Sequence, residues 1–304
     1  MNKLTIYILS LLLLLFCSQE EEFGPSIFDV EDQLVEGSAS YEFDTWLRQV
    51  YLVPYNLDFR YRMEDVGSDM DYNLVPTSFE KAQQMAKLVK YLWFDVYGTV
   101  VSPEFLKETG PRIIHLIGSP AYNPISGTIL LGTAEGGLKV TLFRCNELDP
   151  TDVDLLNEYY FKTMHHEFAH ILHQKRNYPV EFGLISQGKY NPLGWQYKTD
   201  SEAATLGFVS PYAGSQNRED FVEIIANYLV KSDTQWSDIL ELASQPGIDM
   251  YGDTIPDDGI DGRAIILQKL EMAKKWLKDS WEIEIDSLRA EIIQRQLNIN
   301  EVLN

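Results

Sequence analysis

His166 and His170 stand four residues apart, with Glu167 directly after the first, in the run Thr163-Met164-His165-His166-Glu167-Phe168-Ala169-His170-Ile171-Leu172. On a helix, side chains at this spacing lie one above the other, about 6 Å apart, so both imidazoles can reach one metal ion. Neutral imidazoles suit zinc, and a glutamate beside the first of them can face a water at the metal and act as its general base. Phe168, Ala169, Ile171 and Leu172 supply an apolar side to the same helix, leaving the polar side for a cleft. Four of the five histidines of a strongly acidic chain fall within residues 165–173, which a surface helix carrying histidines at random would not produce.

Two imidazoles leave a third protein ligand and a water to be found. His173 shares their helical face, but at 1.5 Å per residue it lies about 10 Å along the axis from His166. That is too far for both to hold one tetrahedral ion, so His173 is expected only as a supporting neighbour. Downstream, Arg218-Glu219-Asp220-Phe221-Val222-Glu223 places two carboxylates four apart on one helical face. One can bind the metal while the other receives the Nδ1–H of a ligand imidazole and so fixes its tautomer. The spacing alone leaves open which of Glu219 and Glu223 does which.

These residues need elements to position them. Tyr41–Val50 reads as a short helix, and the alternation of Tyr51, Val53, Tyr55, Leu57, Phe59 and Tyr61 as a strand interrupted at Pro54. Ser78–Tyr97 has helical spacing with Ser78 as its cap. Branched residues make Arg112–Ile117 a strand. Thr128–Leu131 and Leu138–Phe143 read as a β-hairpin around the glycine-rich stretch Gly132–Gly137, and one of the two is expected to run along the motif helix as a substrate-binding edge. Asp152 or Asn157 starts a long helix that carries the histidines to about Lys175. Tyr178–Asn217 has little periodicity, and so long an irregular stretch usually has a functional reason. Arg218–Val230, Gln235–Ala243 and Arg263–Gln296 are expected helices. The acidic loop between the last two, with Asp253, Asp257, Asp258 and Asp261, lacks a recognised calcium-loop spacing and reads as a solvated turn. The order of elements is α+β.

The first residues stand apart from the fold. Leu4–Phe16 is an apolar run behind a single lysine, too short for a membrane span and suited to a signal peptide, residues 1–16. Cys17 follows in a setting that resembles a bacterial lipobox, apart from Phe16 where a small residue is usual. Ser18-Gln19-Glu20-Glu21-Glu22 resembles the export tag of Bacteroidetes surface lipoproteins. Residues 17–39 are then a lipidated cysteine and acidic tether, and 40–304 the folded domain. With Cys17 lipidated, Cys145 would have no disulfide partner. A net charge of −21 argues against nucleic acid and against electrostatic binding to anionic lipid, so the membrane would be met through the lipid alone, in an outer-membrane, surface-exposed location.

His166–His170, Gly207-Phe208-Val209-Ser210-Pro211-Tyr212 and Glu219–Glu223 together resemble the zinc-binding metallopeptidase lipoproteins of Bacteroidetes, also described as substrate-import-associated zinc metallohydrolase lipoproteins. The resemblance implies a zincin-like catalytic domain of gluzincin type. It assigns Zn2+ to His166, His170 and Glu219, with Glu223 in the helper position four residues later, and it sets a metzincin aside because His173 and Arg176 stand where that pattern has a glycine and a third histidine. A more distant likeness to lethal-factor-type gluzincins and secreted Pro-Pro endopeptidases places a transition-state tyrosine seven residues before the glutamate ligand, which is Tyr212, with Tyr228 in reserve. The implied reaction is hydrolysis of extracellular peptides or proteins, beside a SusC/SusD-like, TonB-dependent outer-membrane transporter. A zinc hydrolase acting on a non-peptide amide or ester and a non-catalytic module of the uptake complex are the competing expectations.

Overall fold

The computed structural model describes residues 34–63, 72–122, 129–130, 132–135, 138–256 and 259–303. The segment expected to be a signal peptide, Cys17 and most of the expected tether lie outside them, as do Asp257 and Asp258 of the acidic loop. The chain divides into a leading unit, Met1–Thr45, and a larger one, Trp46–Asn304, which holds every metal-site residue named above. Among the described residues no helix is long and apolar enough to cross a membrane.

The architecture is α+β, with a small sheet and a helix-rich body of zincin-like type. The strands are β1 (Asp58–Arg60), β2 (Ile113–Leu116), β3 (Ala121–Tyr122), β4 (Ile129–Leu130), β5 (Gly132–Glu135) and β6 (Lys139–Leu142). The main sheet runs β1-β2-β6-β5, and β3 pairs with β4 in a separate ribbon. β1, β2 and β6 are parallel, whereas β5 runs antiparallel to β6 at one edge. Successive residues Ile114, His115 and Leu116 of β2, and Val140, Thr141 and Leu142 of β6, are all buried. Both faces of these strands are therefore covered, which is the usual situation of parallel strands.

The longer helices are α1 (Phe79–Val89), α2 (Lys162–Lys175), α3 (Asn217–Val230), α4 (Asp233–Leu242), α5 (Gly262–Trp281) and α6 (Ile285–Leu297). Ser78 caps α1 by accepting from the Lys81 amide. Asp152 caps the short helix Val153–Leu156, and a wide π-type turn, Asn157–Phe161, joins that helix to α2. α2 packs along α3 and against β5 and β6. The back of α2 enters an aromatic core, where Phe168 meets Trp93 and Tyr97 edge-on with ring centroids 5.2 Å apart in both pairs. Edge-on pairs of this kind add about 0.5–1.5 kcal/mol beyond the area they bury.

Four expectations are corrected. The stretch from Tyr51 to Tyr55 is helical, and only Asp58–Arg60 is a strand. Pro54 lies in the last turn of a helical run continuous with the wide π-type turn Arg48–Leu52, one residue before that run ends; Tyr51 is held by its hydroxyl donating to the Ala86 carbonyl, and Asn56 ends the turn in the left-handed region. The hairpin partner of β6 is Gly132–Glu135, not Thr128–Leu131. The register Glu135↔Lys139 leaves only Gly136, Gly137 and Leu138 between the paired strands, and Ile129–Leu130 pairs instead with Ala121–Tyr122. Residues 178–217 contain short helical pieces, including Asp200–Thr205, which is started by a capping box between Thr199 and Glu202. The single long C-terminal helix is two, α5 and α6, because Glu282 takes a left-handed conformation (φ 59°) that ends α5 and buries Ile283.

Candidate metal centre

Helix α2 presents His166 and His170 to one side, and α3 brings its first turn against them. The Nε2 atoms of His166 and His170 lie 3.2 and 3.1 Å from the same oxygen, Oε2 of Glu219. Ligand atoms of His166, His170 and Glu219 all fall within 4.8 Å of one another, which among the described residues makes this the one such group of metal-ligating side chains. The other ring nitrogens are already engaged. His166 Nδ1 is 2.9 Å from Oε1 of Glu223, and His170 Nδ1 is 2.9 Å from Nε2 of His173.

This is a donor set that fits zinc. Two imidazole nitrogens and one carboxylate oxygen converge, while each imidazole is oriented through its far nitrogen by a hydrogen-bonding partner. Glu219 and Glu223 are 4% and 3% exposed, so the acidic start of α3 is no solvated helix end. Glu223 also accepts from the Ser210 hydroxyl at 2.6 Å and the Asn227 amide at 3.2 Å, which fixes the carboxylate that fixes the histidine. Arg218 Nε lies 3.2 Å from the outer oxygen of Glu219.

The electrostatics follow from burial opposed by close partners. Burial alone would lower the pKa of His166, but hydrogen bonds with Glu219 and Glu223 and the charges of Glu223 and Glu167 raise it to about 10. Burial would raise that of Glu223, and the Lys162 charge with the His166 hydrogen bond brings it down to about 2. His165, one residue away, faces the core. Its Nδ1 is 3.1 Å from the Tyr97 hydroxyl, and burial drives its pKa down to about 3. His173 is lowered to about 4, by burial first and then by the nearby His170.

Glu167 is half-buried on the same helix, and its charge reaches both His166 and Tyr212. The Tyr212 ring centroid is 5.9 Å from that of His166. Burial raises its phenol pKa, and the charges of Glu219, Glu223 and Glu167 raise it further. Tyr228, the reserve tyrosine, is not brought to the site, since its hydroxyl donates to Asp286.

Several participants have only weak marks in the sequence. Asn227 lies four residues after Glu223, one turn further along the same face, and could have been read from that spacing. Ser210 sits inside the Gly207–Tyr212 segment without any periodic signal. Behind the site, Lys269 of α5 forms a fully buried pair with Asp220 at 2.7 Å and donates to the Gly207 carbonyl at 2.7 Å, and the Tyr190 hydroxyl donates to the same carboxylate at 2.9 Å. Gly207 has φ +84°, and a Cβ there would lie 2.2 Å from Ile265 Cγ2, so this junction admits only glycine.

Residues 37–286 match a protein family described as "Putative zinc-binding metallo-peptidase". The chain belongs to that family. It is similar over its main length to a crystal structure described as that of a putative zinc-binding metallo-peptidase from Bacteroides caccae, with 49% sequence identity and a TM-score of 0.71. That likeness covers 86% of this chain and 93% of the other. The curated proteins contain no match to the chain. Family membership and the His166–His170–Glu219 geometry bear on the same residues, since all three lie inside the matched region.

Proposed function

We propose that this chain is a zinc peptidase that hydrolyses bonds in extracellular peptides, as a surface lipoprotein beside an outer-membrane nutrient transporter. The observation that carries the hydrolytic part is the convergence of His166 Nε2, His170 Nε2 and Glu219 Oε2 on the helix that also carries Glu167. Extended peptide is favoured as substrate because β5 is the edge of the main sheet and runs against α2. An edge strand offers unpaired backbone groups to which another extended chain can hydrogen-bond.

Zinc held by His166, His170 and Glu219 would supply Lewis acidity, lowering the pKa of a water and polarising the substrate carbonyl. Glu167 takes the proton of the attacking water and returns it to the leaving amine. Tyr212, whose raised pKa keeps its phenol protonated, donates a hydrogen bond to the carbonyl oxygen as negative charge gathers there. Glu223 and His173 hold the two imidazoles in the orientation that leaves Nε2 for the metal.

The test is digestion of a diverse peptide library by zinc-loaded wild type, zinc-stripped wild type and Glu167→Gln, read by mass spectrometry. Glu167→Gln is expected to fold, keep zinc and lose hydrolysis by ~10²–10⁴-fold, the usual contribution of a general base. Equal cleavage by wild type and Glu167→Gln would end the mechanism. Absence of cleavage by the zinc-loaded wild type would move the reading to a non-peptide amide or ester, or to a binding module.

A further inference from the structure

The long segment between α2 and α3 carries aromatic groups for which the mechanism has no use. Its backbone is tied to the tyrosine turn, because the Asn191 amide donates to the Gly214 carbonyl at 2.8 Å. A tight turn at Asn191–Trp195 follows, closed by the Gly194 and Trp195 amides donating to the Asn191 carbonyl. This sets the Trp195 ring edge-on to Tyr212, with centroids 5.0 Å apart and planes at 72°. Tyr212 in turn lies 5.9 Å from the His166 ring. Trp195 is half-buried, and flanking it Leu193 and Tyr197 are 85% and 63% exposed.

Two ring contacts separate Trp195 from the candidate metal ligand. An extended peptide advances about 3.3 Å per residue, so Trp195 lies within reach of a side chain up to about three positions from the scissile bond. The indole offers no charge to an acidic substrate side chain, which would lose hydration against it, whereas an aromatic side chain would pack on the ring.

Building on the zinc-peptidase reading above, we infer that Trp195 forms a specificity subsite that selects peptides with an aromatic side chain close to the scissile bond and rejects those with an acidic one. Trp195 is a specificity-determining residue in this proposal and takes no part in the proton transfers.

The experiment uses the zinc-loaded full chain and three dipeptide hydroxamates, identical except for a benzyl, a methyl or a carboxymethyl side chain. Dissociation constants are measured by calorimetry on wild type, Trp195→Phe and Trp195→Ala, with zinc content determined for each. The benzyl compound is expected to bind wild type at least ~10-fold more tightly than the methyl compound, the scale of burying one aromatic ring on another, and the carboxymethyl compound to bind most weakly. Trp195→Phe should keep most of the preference. Trp195→Ala should bring benzyl and methyl within about two-fold at unchanged zinc content, an outcome a purely structural role would not produce. Equal binding of benzyl and methyl to wild type, or a preference that survives Trp195→Ala, overturns the subsite and leaves the zinc-peptidase reading standing. Failure of all three hydroxamates to bind zinc-loaded wild type overturns both.

Discussion

His166 Nδ1 lies 2.9 Å from Oε1 of Glu223, so this carboxylate meets the histidine on the side away from the candidate metal position. Glu219 meets the same ring at Nε2. Removing a group that orients a ligand typically weakens metal binding ~10–100-fold, and removing a ligand costs more. Glu219→Ala is therefore expected to lose more zinc affinity than Glu223→Ala in a competitive chelator titration. The reverse order would exchange the two roles.

The raised pKa of His166, about 10, keeps its imidazole protonated near neutrality in the metal-free chain. A metal takes the neutral ring, so loading zinc has to displace that proton. At pH 7–8 calorimetric zinc titrations in buffers of different ionisation enthalpy should show release of about one proton. Above the folded pKa the ring is already neutral, and the release should fade. Heats that do not depend on the buffer at pH 7.5 would contradict the protonated state.

Tyr212 is expected to act on the reaction rather than on the metal. Its loss resembles removal of one oxyanion donor, which costs ~10²–10³-fold in kcat. Tyr212→Phe should show that fall on a cleaved peptide with zinc stoichiometry unchanged. Loss of zinc in this variant would show instead that Tyr212 holds the site together.

Lys269 and Asp220 are 0% and 1% exposed as a pair. Breaking such a pair leaves a buried charge alone, at a cost of about 3–5 kcal/mol, whereas neutralising both partners costs much less. Lys269→Met should be destabilised on that scale in urea unfolding, and Lys269→Met with Asp220→Asn considerably less. Burial outweighs Lys269 in setting the Asp220 pKa, which is raised to about 6, above an unfolded value near 3.9. The folded state thus binds the proton more tightly, and without Lys269 the shift grows. The deficit of Lys269→Met should shrink as pH falls from 7 toward 4, and a deficit independent of pH would speak against a buried charge as its cause.

The fifth expectation concerns placement in the cell. Cys17→Ala should move the protein from the membrane fraction to the soluble one, because the membrane attachment is proposed to rest on a lipid at that residue. Protease shaving of intact cells should remove the wild-type protein. Full protection of the membrane-bound form would put it on the inner side of the outer membrane.

What could be read from the sequence was local in origin. The spacing of His166, Glu167 and His170, and of Glu219 and Glu223, is set by one helix each, so helical geometry alone brings those side chains to common faces. Glu219 meets both imidazoles at Nε2 and Glu223 meets His166 at Nδ1, a division that depends on how α2 and α3 cross. Ser210 and Trp195 belong to a segment whose path is set by backbone contacts such as Asn191 to Gly214, with no periodicity to announce it. Lys269 comes from another helix altogether. The alternation from Tyr51 to Tyr61 imitated a strand because a π-type turn and a proline-containing helical turn also spread aromatic residues around the axis. In the hairpin, the glycines resemble one long turn, whereas Gly132 belongs to an edge strand.

The wide turn ahead of the histidine helix decides where this chain tolerates the loss of a residue. In that turn the Lys162 amide reaches back five residues to the Asn157 carbonyl, one more than an α-helix requires. Asn157 itself is moored, donating to the Val230 carbonyl at 2.9 Å and accepting from Gln296 at 2.8 Å. The surplus residue therefore widens one turn between a fixed mooring and the imidazoles downstream. Excising one residue between Asn157 and Lys162 while the turn closes to ordinary pitch would make the two changes offset each other, and the histidines would keep facing Glu219. Excising one residue from the regular turn between Lys162 and His166 leaves no such slack, and would swing the histidines by about 100° about the axis, away from Glu219, with no change in their own spacing.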